Sequence, residues 1–267
     1  MNISTLKIAA TLAIFASSAS FAQIKPPEPD YTLSYNAGLV TDYRYRGLSQ
    51  TSLKPALQLG ADFVHKSGFY LGAFGSNVSW VKDFNKATKG NYELDLYGGY
   101  KGSITKDLGF DVGLISYIYP SNNSGAAVTL GAGAYSNANT NEIYGGLTYN
   151  ILSFKYSRSV GNFLGNIRSG GSQYFDLSAN FDLGNGFTLT PHIGRQTVPN
   201  QDFGTSTDGK AANYMDYALT LGKDFGSGLS GTAALIGTDT KRPGFYRDSN
   251  NKDLGKSTIV VGAKYSF

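Results

Sequence analysis

The sequence of 267 residues contains no cysteine, only two histidines, two methionines and one tryptophan. The lack of cysteine excludes a disulfide framework, a thiolate nucleophile and any cysteine-based zinc or iron–sulfur site. Two histidines are also too few for a multi-histidine metal centre. Charged residues make up only 16%, and a net charge of +4 is too small to indicate a nucleic-acid-binding surface. No metal, cofactor or nucleic-acid partner is therefore predicted.

Long hydrophobic runs are missing as well, apart from one at the start of the chain. Residues 1–22 have the pattern of a secretory signal peptide, with Lys7, an apolar stretch from Ile8 to Ala16 and a cleavage motif ending at Ala22. An ordinary N-terminal helix is the alternative, but the apolar stretch is too short to span a bilayer. After Ala22 no run approaches the length of about 18 apolar residues that predicts a transmembrane helix. Residues 23–30 are rich in proline and are predicted to form an extended lead-in, a segment that precedes the first strand.

Glycine and aromatic residues are abundant instead, with 34 Gly, 19 Tyr and 16 Phe. From residue 31 onward, apolar and polar residues alternate with period two, and turn residues interrupt the pattern at short intervals. The last segment shows this most clearly, because Ile259, Val261, Ala263 and Tyr265 alternate with small or polar residues. The pattern predicts an all-β domain over residues 31–267, with twelve strands joined by five short turns and six long loops.

The two faces of these strands differ in a way that decides between two kinds of β protein. One face is rich in Tyr, Phe, Leu and Ala, whereas the other carries ionisable side chains that need water or a partner. A soluble exported β protein would bury its apolar face, and it remains the alternative. A closed antiparallel transmembrane barrel would place the apolar face in lipid and the polar face around a lumen. The predicted lumen residues on the strands are Asp62, Glu93, Asp95, Lys101, Asp111, Glu142, Lys155, Asp176, His192, Asp216 and Lys264.

Two strands are predicted less clearly. In the third strand, Phe69 and Leu71 compete with Tyr70 and Phe74 for the apolar face, so its orientation stays open. In the ninth strand, Pro191 cannot donate a ladder hydrogen bond, and we expect a bulge or a local break there.

A family resemblance is carried by the first half of the chain. The segment Leu39–Thr51 reads LVTDYRYRGLSQT, and it is followed by KPALQ, SGFYLG and SNV and later by ELDLYGGY and IYP. These motifs resemble the opening signature of the TorF family of Gram-negative porins. The resemblance implies an outer-membrane barrel with short periplasmic turns and long extracellular loops, and it offers no catalytic residues. The terminal Phe267 resembles the aromatic residue through which the barrel-assembly machinery recognises such chains, although it also fits an ordinary lipid-facing position.

The most distinctive local sequence is Tyr43-Arg44-Tyr45-Arg46. If the register of the first strand continues, Asp42, Arg44 and Arg46 face the lumen, whereas Tyr43 and Tyr45 face outward. The two guanidinium groups would then attract anions in the pore or bind a carboxylate of a loop. A structural ion pair with Asp42 or a neighbouring strand is the favoured alternative.

Charge predicts partners only weakly. Eight acidic and five basic residues are assigned to the lumen, which gives a hypothesis of weak cation preference. The long loops are basic and suit the phosphates of lipopolysaccharide, although an ordinary solvated surface explains them almost as well. An enzyme is not predicted, because neither His65 nor His192 has a recognisable catalytic partner in the sequence.

These features together predict a monomeric outer-membrane channel through which ions and small hydrophilic solutes diffuse passively. Its lumen should be narrower than that of a sixteen-stranded porin, with loops 121–140 and 196–213 narrowing the entrance. The alternative is a plugged structural or adhesive barrel whose loops form the working surface.

Overall fold

The computed structural model describes residues 29–85, 87–124, 135–204, 207–240 and 245–267. The predicted signal peptide, with its cleavage position Ala22, and most of the lead-in lie outside these residues. Within them the chain forms one short helix and fifteen strands. No helix in the described ranges is long and apolar enough to cross a membrane.

The strands and the helix have the following bounds: β1 (Tyr31–Val40), β2 (Arg44–Tyr45), β3 (Leu48–Ser49), β4 (Ala56–His65), β5 (Phe69–Asn77), α1 (Trp80–Asp83), β6 (Tyr92–Ser103), β7 (Leu108–Ile118), β8 (Thr140–Tyr149), β9 (Leu152–Val160), β10 (Gln173–Ala179), β11 (Phe181–Gly184), β12 (Phe187–Thr197), β13 (Tyr214–Gly226), β14 (Leu229–Thr238) and β15 (Thr258–Ser266).

The long strands close into a barrel of twelve antiparallel strands, because β10 and β11 follow each other as one strand beside β12. Each barrel strand pairs with its neighbours in sequence, and the first strand, β1, pairs with the last, β15. Closure leaves no unpaired edge in the membrane. Five short connections alternate with six long ones, and both ends of the barrel chain lie on the side of the short turns. The twelve-stranded closed barrel predicted from the alternation is confirmed.

The apolar face of the strands points outward. Large side chains such as Leu57, Leu71 and Leu114 are all more than half exposed, which suits a surface covered by lipid. In β5 the outward residues are Phe69 and Leu71, so the orientation that the sequence left open is now settled. The opposite face surrounds the lumen and carries most of the charged residues of the strands.

Pro191 lies within β12 without a bulge, and the expected local break takes the form of a gap in the pairing on one side of that strand. Residues 187–196 pair continuously with β13. On the other side of β12, pairing stops after Ser178 of β10, opposite His192, and resumes at Phe181 of β11, opposite Leu189. Proline has no amide hydrogen to donate, and an interruption of the neighbouring ladder accommodates that loss without displacing β12.

Several tyrosines of the lumen lie flat against a glycine of the neighbouring strand. A methyl group added at Gly194 would come within 2.1 Å of the Tyr174 hydroxyl, and one added at Gly99 within 2.6 Å of the Tyr70 hydroxyl. The same arrangement joins Tyr97 to Gly72 and Tyr144 to Gly113. Part of the high glycine content is therefore explained, because these positions leave room for an aromatic ring along the wall of the barrel.

This contact gives a testable prediction. Gly194→Ala is expected to lower the free energy of unfolding by about 1–3 kcal/mol, because the new methyl group overlaps the Tyr174 hydroxyl. Urea unfolding in detergent micelles measures the change. Gly145→Ala is the matched control, since its methyl group would meet only Val112 Cγ1 at 3.9 Å. Equal stabilities of the two variants would contradict the prediction.

Candidate functional site: a loop inside the barrel

The first long loop, residues 41–55, folds into the barrel and is called the lumen loop here. Its strands β2 and β3 form a small hairpin, whose turn residues Arg46 and Gly47 have φ of 47° and 80°. Two consecutive residues with positive φ are typical of the tightest hairpin turns. A side chain at position 47 would lie 2.7 Å from both Asp216 and Thr238, so this position requires glycine for its backbone angle and for lack of space.

Tyr43 and Tyr45 of the lumen loop point inward, and their predicted outward orientation is wrong. Strand β1 ends at Val40 and the chain then turns into the lumen, so the register of the strand does not continue. The Tyr43 hydroxyl donates a hydrogen bond of 2.5 Å to Glu93 Oε1, and the Tyr45 ring packs edge-on against Tyr117. Burial raises the pKa of Tyr43 well above its usual value, which keeps the hydroxyl protonated as a donor.

Arg44 and Asp42 form an ion pair at the base of the lumen loop. Arg44 Nε lies 2.5 Å from Asp42 Oδ2, and both side chains are buried. Arg44 Nη1 also donates to the carbonyl oxygens of Leu254 at 3.0 Å and Lys256 at 3.2 Å, just before β15. The pairing of Arg44 with Asp42 that the sequence suggested is confirmed.

Arg46 lies at the tip of the lumen loop and reaches the opposite wall. Its Nη2 lies 2.6 Å from Glu142 Oε2 on β8, and its Nη1 donates to Gln196 Oε1 on β12 at 2.7 Å. The guanidinium carbon is 4.2 Å from the centre of the Tyr174 ring on β10. These three strands lie across the ring of strands from β1, so the lumen loop spans the lumen. Local sequence patterns gave no sign that Gln196 and Tyr174 belong to this site.

The other long loops pack over the lumen loop and form a cap with its own apolar clusters. The larger cluster contains Val78, Trp80, Val81, Ala87, Tyr117, Tyr119 and Ala138, and the smaller contains Phe163, Val198 and Ala212. Tyr45 of the lumen loop packs against both clusters. The described parts of loops 121–140 and 196–213, which were expected to narrow the entrance, contribute to this cap. The segment that crosses the lumen is the first loop, which was not assigned that role.

Two polar cavities lie in the lumen on the side of the short turns. The first, of about 300 Å³, is lined by Arg44, Arg46, Lys155, Asp176, His192 and Asp216, among others. The second, of about 540 Å³, is lined by Asp62, Lys101, Asp111, Lys155 and several tyrosines. Lys155 lines both cavities, so they adjoin each other. Beside the lumen loop and below the cap lies a smaller space of about 40 Å³. A further cavity of about 860 Å³ lies between the described parts of the outer loops.

The predicted lumen residues of the strands all point inward, but they form separate local groups. His192 lies between two carboxylates, with Nε2 2.8 Å from Asp216 Oδ1 and Nδ1 3.5 Å from Asp176 Oδ1. The lumen tyrosines donate to the acids, with Tyr97 bound to Asp62 and Tyr70 to Asp111. Lys155 lies 3.8 Å from the centre of the Tyr144 ring, and Lys101 lies 5.5 Å from that of Tyr70.

Glu93 and Asp95 are buried near the lumen loop, whereas Lys264 is exposed to the lumen on the last strand. The described residues contain no group of three or more His, Asp or Glu side chains suited to hold a metal ion.

A closed barrel of twelve antiparallel strands, apolar outside and charged inside, with a loop folded into its lumen, defines an outer-membrane β-barrel with a porin-like fold. Solved structures share this fold. The "KdgM porin in complex with disordered oligogalacturonate" has a TM-score of 0.51 and 10% sequence identity, over 88% of this chain and 98% of that chain. The NanC porin has a TM-score of 0.51 and 9% identity, over 88% of this chain and 99% of that chain.

The chain belongs to the Gcw_chp family, which is described as "Bacterial protein of unknown function" and whose model matches residues 25–267. No curated protein matches the chain.

Proposed function

We propose that this protein is a narrow porin-like channel for passive diffusion of ions and small hydrophilic solutes across the outer membrane. The observation that carries the proposal is the pair of adjoining polar cavities of about 300 and 540 Å³. They lie in the inner part of the lumen and are lined by charged side chains. A barrel that served only as a scaffold would have no need of charged cavities along its axis. The lumen loop is the constriction of the channel, and the strand residues that line the cavities are its pore-lining residues.

The charges of the lumen support a weak preference for cations. Arg44 pairs with Asp42 of the lumen loop and Arg46 with Glu142 of β8, so these two positive and two negative charges largely offset each other. Three lysines remain on the inner face of the strands, at positions 101, 155 and 264, against a larger number of acids. A lumen lined by an excess of carboxylates attracts cations.

Single-channel recording tests the proposal directly. The mature chain, residues 23–267, is refolded in detergent and inserted into a planar bilayer, with a salt gradient across the membrane. We expect small discrete conductance steps and a reversal potential with the sign of a cation preference. A reversal potential favouring chloride would contradict the selectivity, and a folded, inserted but silent barrel would contradict the channel itself.

A plugged barrel whose loops form the working surface is the second candidate function. It is favoured by the two apolar clusters of the cap and by the burial of Arg46 against Glu142, which together fill the outer part of the lumen. The two candidates differ in one measurable respect. A plugged barrel is silent in the bilayer while the lumen loop is in place, whereas a constricted channel conducts in the wild type and conducts more after the lumen loop is replaced.

The remaining features of the proposal concern assembly. The signal peptide is cleaved after Ala22, the barrel is a monomer, and Phe267 directs insertion by the barrel-assembly machinery, in keeping with the resemblance to the TorF family. Backbone hydrogen bonds join Phe267 to Tyr35 in both directions at the seam between the first and last strands. Phe267 is also well exposed, which suits contact with lipid or with an assembly factor. No enzymatic activity and no cofactor are part of the proposal.

A further inference from the structure

The outward face of the barrel carries very few charged side chains, and two of them lie near each other at the same end of the barrel. Among the lysines and arginines of the twelve barrel strands, only Arg158, Arg195 and Lys223 lie on the same face of their strands as the lipid-facing residues. Lys223 lies near the short turns, where its Nζ donates to the Asn185 carbonyl. Arg158 on β9 and Arg195 on β12 lie near the long loops, on either side of β10.

The two arginines are placed to act on one ligand. Arg158 is directly opposite Gln173 of β10, and Arg195 is opposite Phe175, two residues further along the same strand. Strand spacings of about 4.8 Å and a rise of about 3.4 Å per residue separate the two Cα atoms by about 12 Å. The Arg158 guanidinium leans toward the long loop, where a methyl group added at Gly171 would come within 2.9 Å of its Nη2. The two guanidinium groups therefore sit at different depths and suit a ligand that carries two separate phosphate groups. Both residues are exposed. Neither guanidinium has a hydrogen bond or an ion pair with another residue in the described parts of the chain.

An apolar wall begins level with Arg195 and continues toward the middle of the membrane. The Phe175 ring is 5.0 Å from that of Tyr156 and 6.3 Å from that of Phe154, and Leu177 and Ile193 continue the surface toward the short turns. The patch therefore offers positive charge above a broad apolar surface. A lipid with phosphate groups above its acyl chains has the complementary arrangement.

Physical chemistry favours a phosphate ligand at this position. A cation on the lipid face is costly near the middle of the bilayer and tolerated only near its surface, where it meets lipid headgroups. Guanidinium groups bind phosphate through two parallel hydrogen bonds, which makes arginine better suited than lysine to this contact. The long loops of an outer-membrane barrel face the outer leaflet, so the relevant lipid is the one found there.

We propose that Arg158 and Arg195 form a binding site for the phosphate groups of lipopolysaccharide in the outer leaflet, with Phe154, Tyr156 and Phe175 contacting its acyl chains. The basic long loops suggested lipopolysaccharide as a partner in general, whereas this site lies on the outer wall of the barrel. The proposal depends on the orientation of the barrel in the membrane, and it does not depend on whether the lumen conducts.

The test compares binding of diphosphorylated and dephosphorylated lipid A to the refolded chain in detergent micelles. We expect the wild-type chain to bind the diphosphorylated lipid at least about tenfold more tightly than the dephosphorylated one. The double variant Arg158→Gln, Arg195→Gln should lose this preference. Lys223→Gln, which removes an outward charge at the other end of the barrel, is the matched control and should keep it.

Equal affinity of the wild-type chain for the two lipids would overturn the proposal, and so would a double variant that keeps the preference. The comparison of the two lipids on the wild-type chain needs no mutation, so equal affinities overturn the proposal even if the double variant does not fold. If that variant does not fold, the single variants Arg158→Gln and Arg195→Gln locate the preference, and each should weaken it. Single-channel recording of the double variant separates this proposal from the proposed function, because the lumen is untouched and its conductance should equal that of the wild type.

Discussion

Replacing residues 43–53 by a Gly-Ser segment of equal length is expected to raise the single-channel conductance by about three- to tenfold, since conductance follows the narrowest part of a pore. The lumen loop contacts the wall on nearly every side, from Glu93 through Glu142 to Asp216. The replacement removes both tyrosines, both arginines and the hairpin that spans the lumen. The two inner cavities then open toward the cap.

The matched control for this replacement is a Gly-Ser substitution of the short turn at residues 104–107, which lies outside the lumen at the other end of the barrel. Its conductance should equal that of the wild type. If the loop variant inserts and keeps its strand content but conducts no better than the wild type, the lumen loop is not the constriction. A wild-type barrel that is silent and conducts only after the replacement would support the plugged barrel.

The second large effect is expected from Arg46→Ala, which should destabilise the docked lumen loop by about 3–5 kcal/mol, because it leaves a buried carboxylate without its cation. The Glu142 side chain is 1% exposed and has its ion pair with Arg46. Adding Glu142→Gln to the Arg46→Ala variant removes the unpaired charge and should recover a large part of the lost stability of the docked loop.

Trp80 provides the measurement for this prediction, because it is the only tryptophan of the chain and lies in the larger apolar cluster of the cap. Its fluorescence reports cap opening under urea, whereas circular dichroism reports the strands. We expect Arg46→Ala to open the cap at lower urea concentration with little change in the strands. Arg46→Lys keeps the charge, so its cap should open at a urea concentration between those of the wild type and Arg46→Ala. Unchanged opening in Arg46→Ala, or no recovery on adding Glu142→Gln, would show that the ion pair does not hold the cap.

The barrel itself was predictable from local sequence because each strand displays its own alternation. Strand count, turn pattern and the inward direction of residues such as Asp111 and Lys155 all follow from period two and from the positions of turn residues. The orientation of β5 was ambiguous because Tyr70 faces the lumen and resembles a lipid-facing aromatic residue. Its partner is Gly99 on the next strand, and single-strand alternation contains no information about such a pair.

The lumen loop could not be predicted in the same way. Extending the register of β1 past Val40 gave the wrong side for Tyr43 and Tyr45, since nothing in the alternation marks where a strand stops and the chain turns inward. The contact between Arg46 and Glu142 joins residues 96 positions apart. Which acid accepts a given arginine depends on the closed ring of strands, and only the three-dimensional structure shows it.

The hydrogen bonds from Arg44 to Leu254 and Lys256 join residues 210 and 212 positions apart, which is nearly the whole length of the barrel domain. Contacts of such sequence separation form slowly, because the entropy of closing the loop must be overcome before the contacts stabilise it. The lumen loop belongs to the first connection of the chain, yet it cannot reach its final place until the last connection and β15 arrive. The part of the barrel that leads the chain during synthesis is therefore among the last to become ordered.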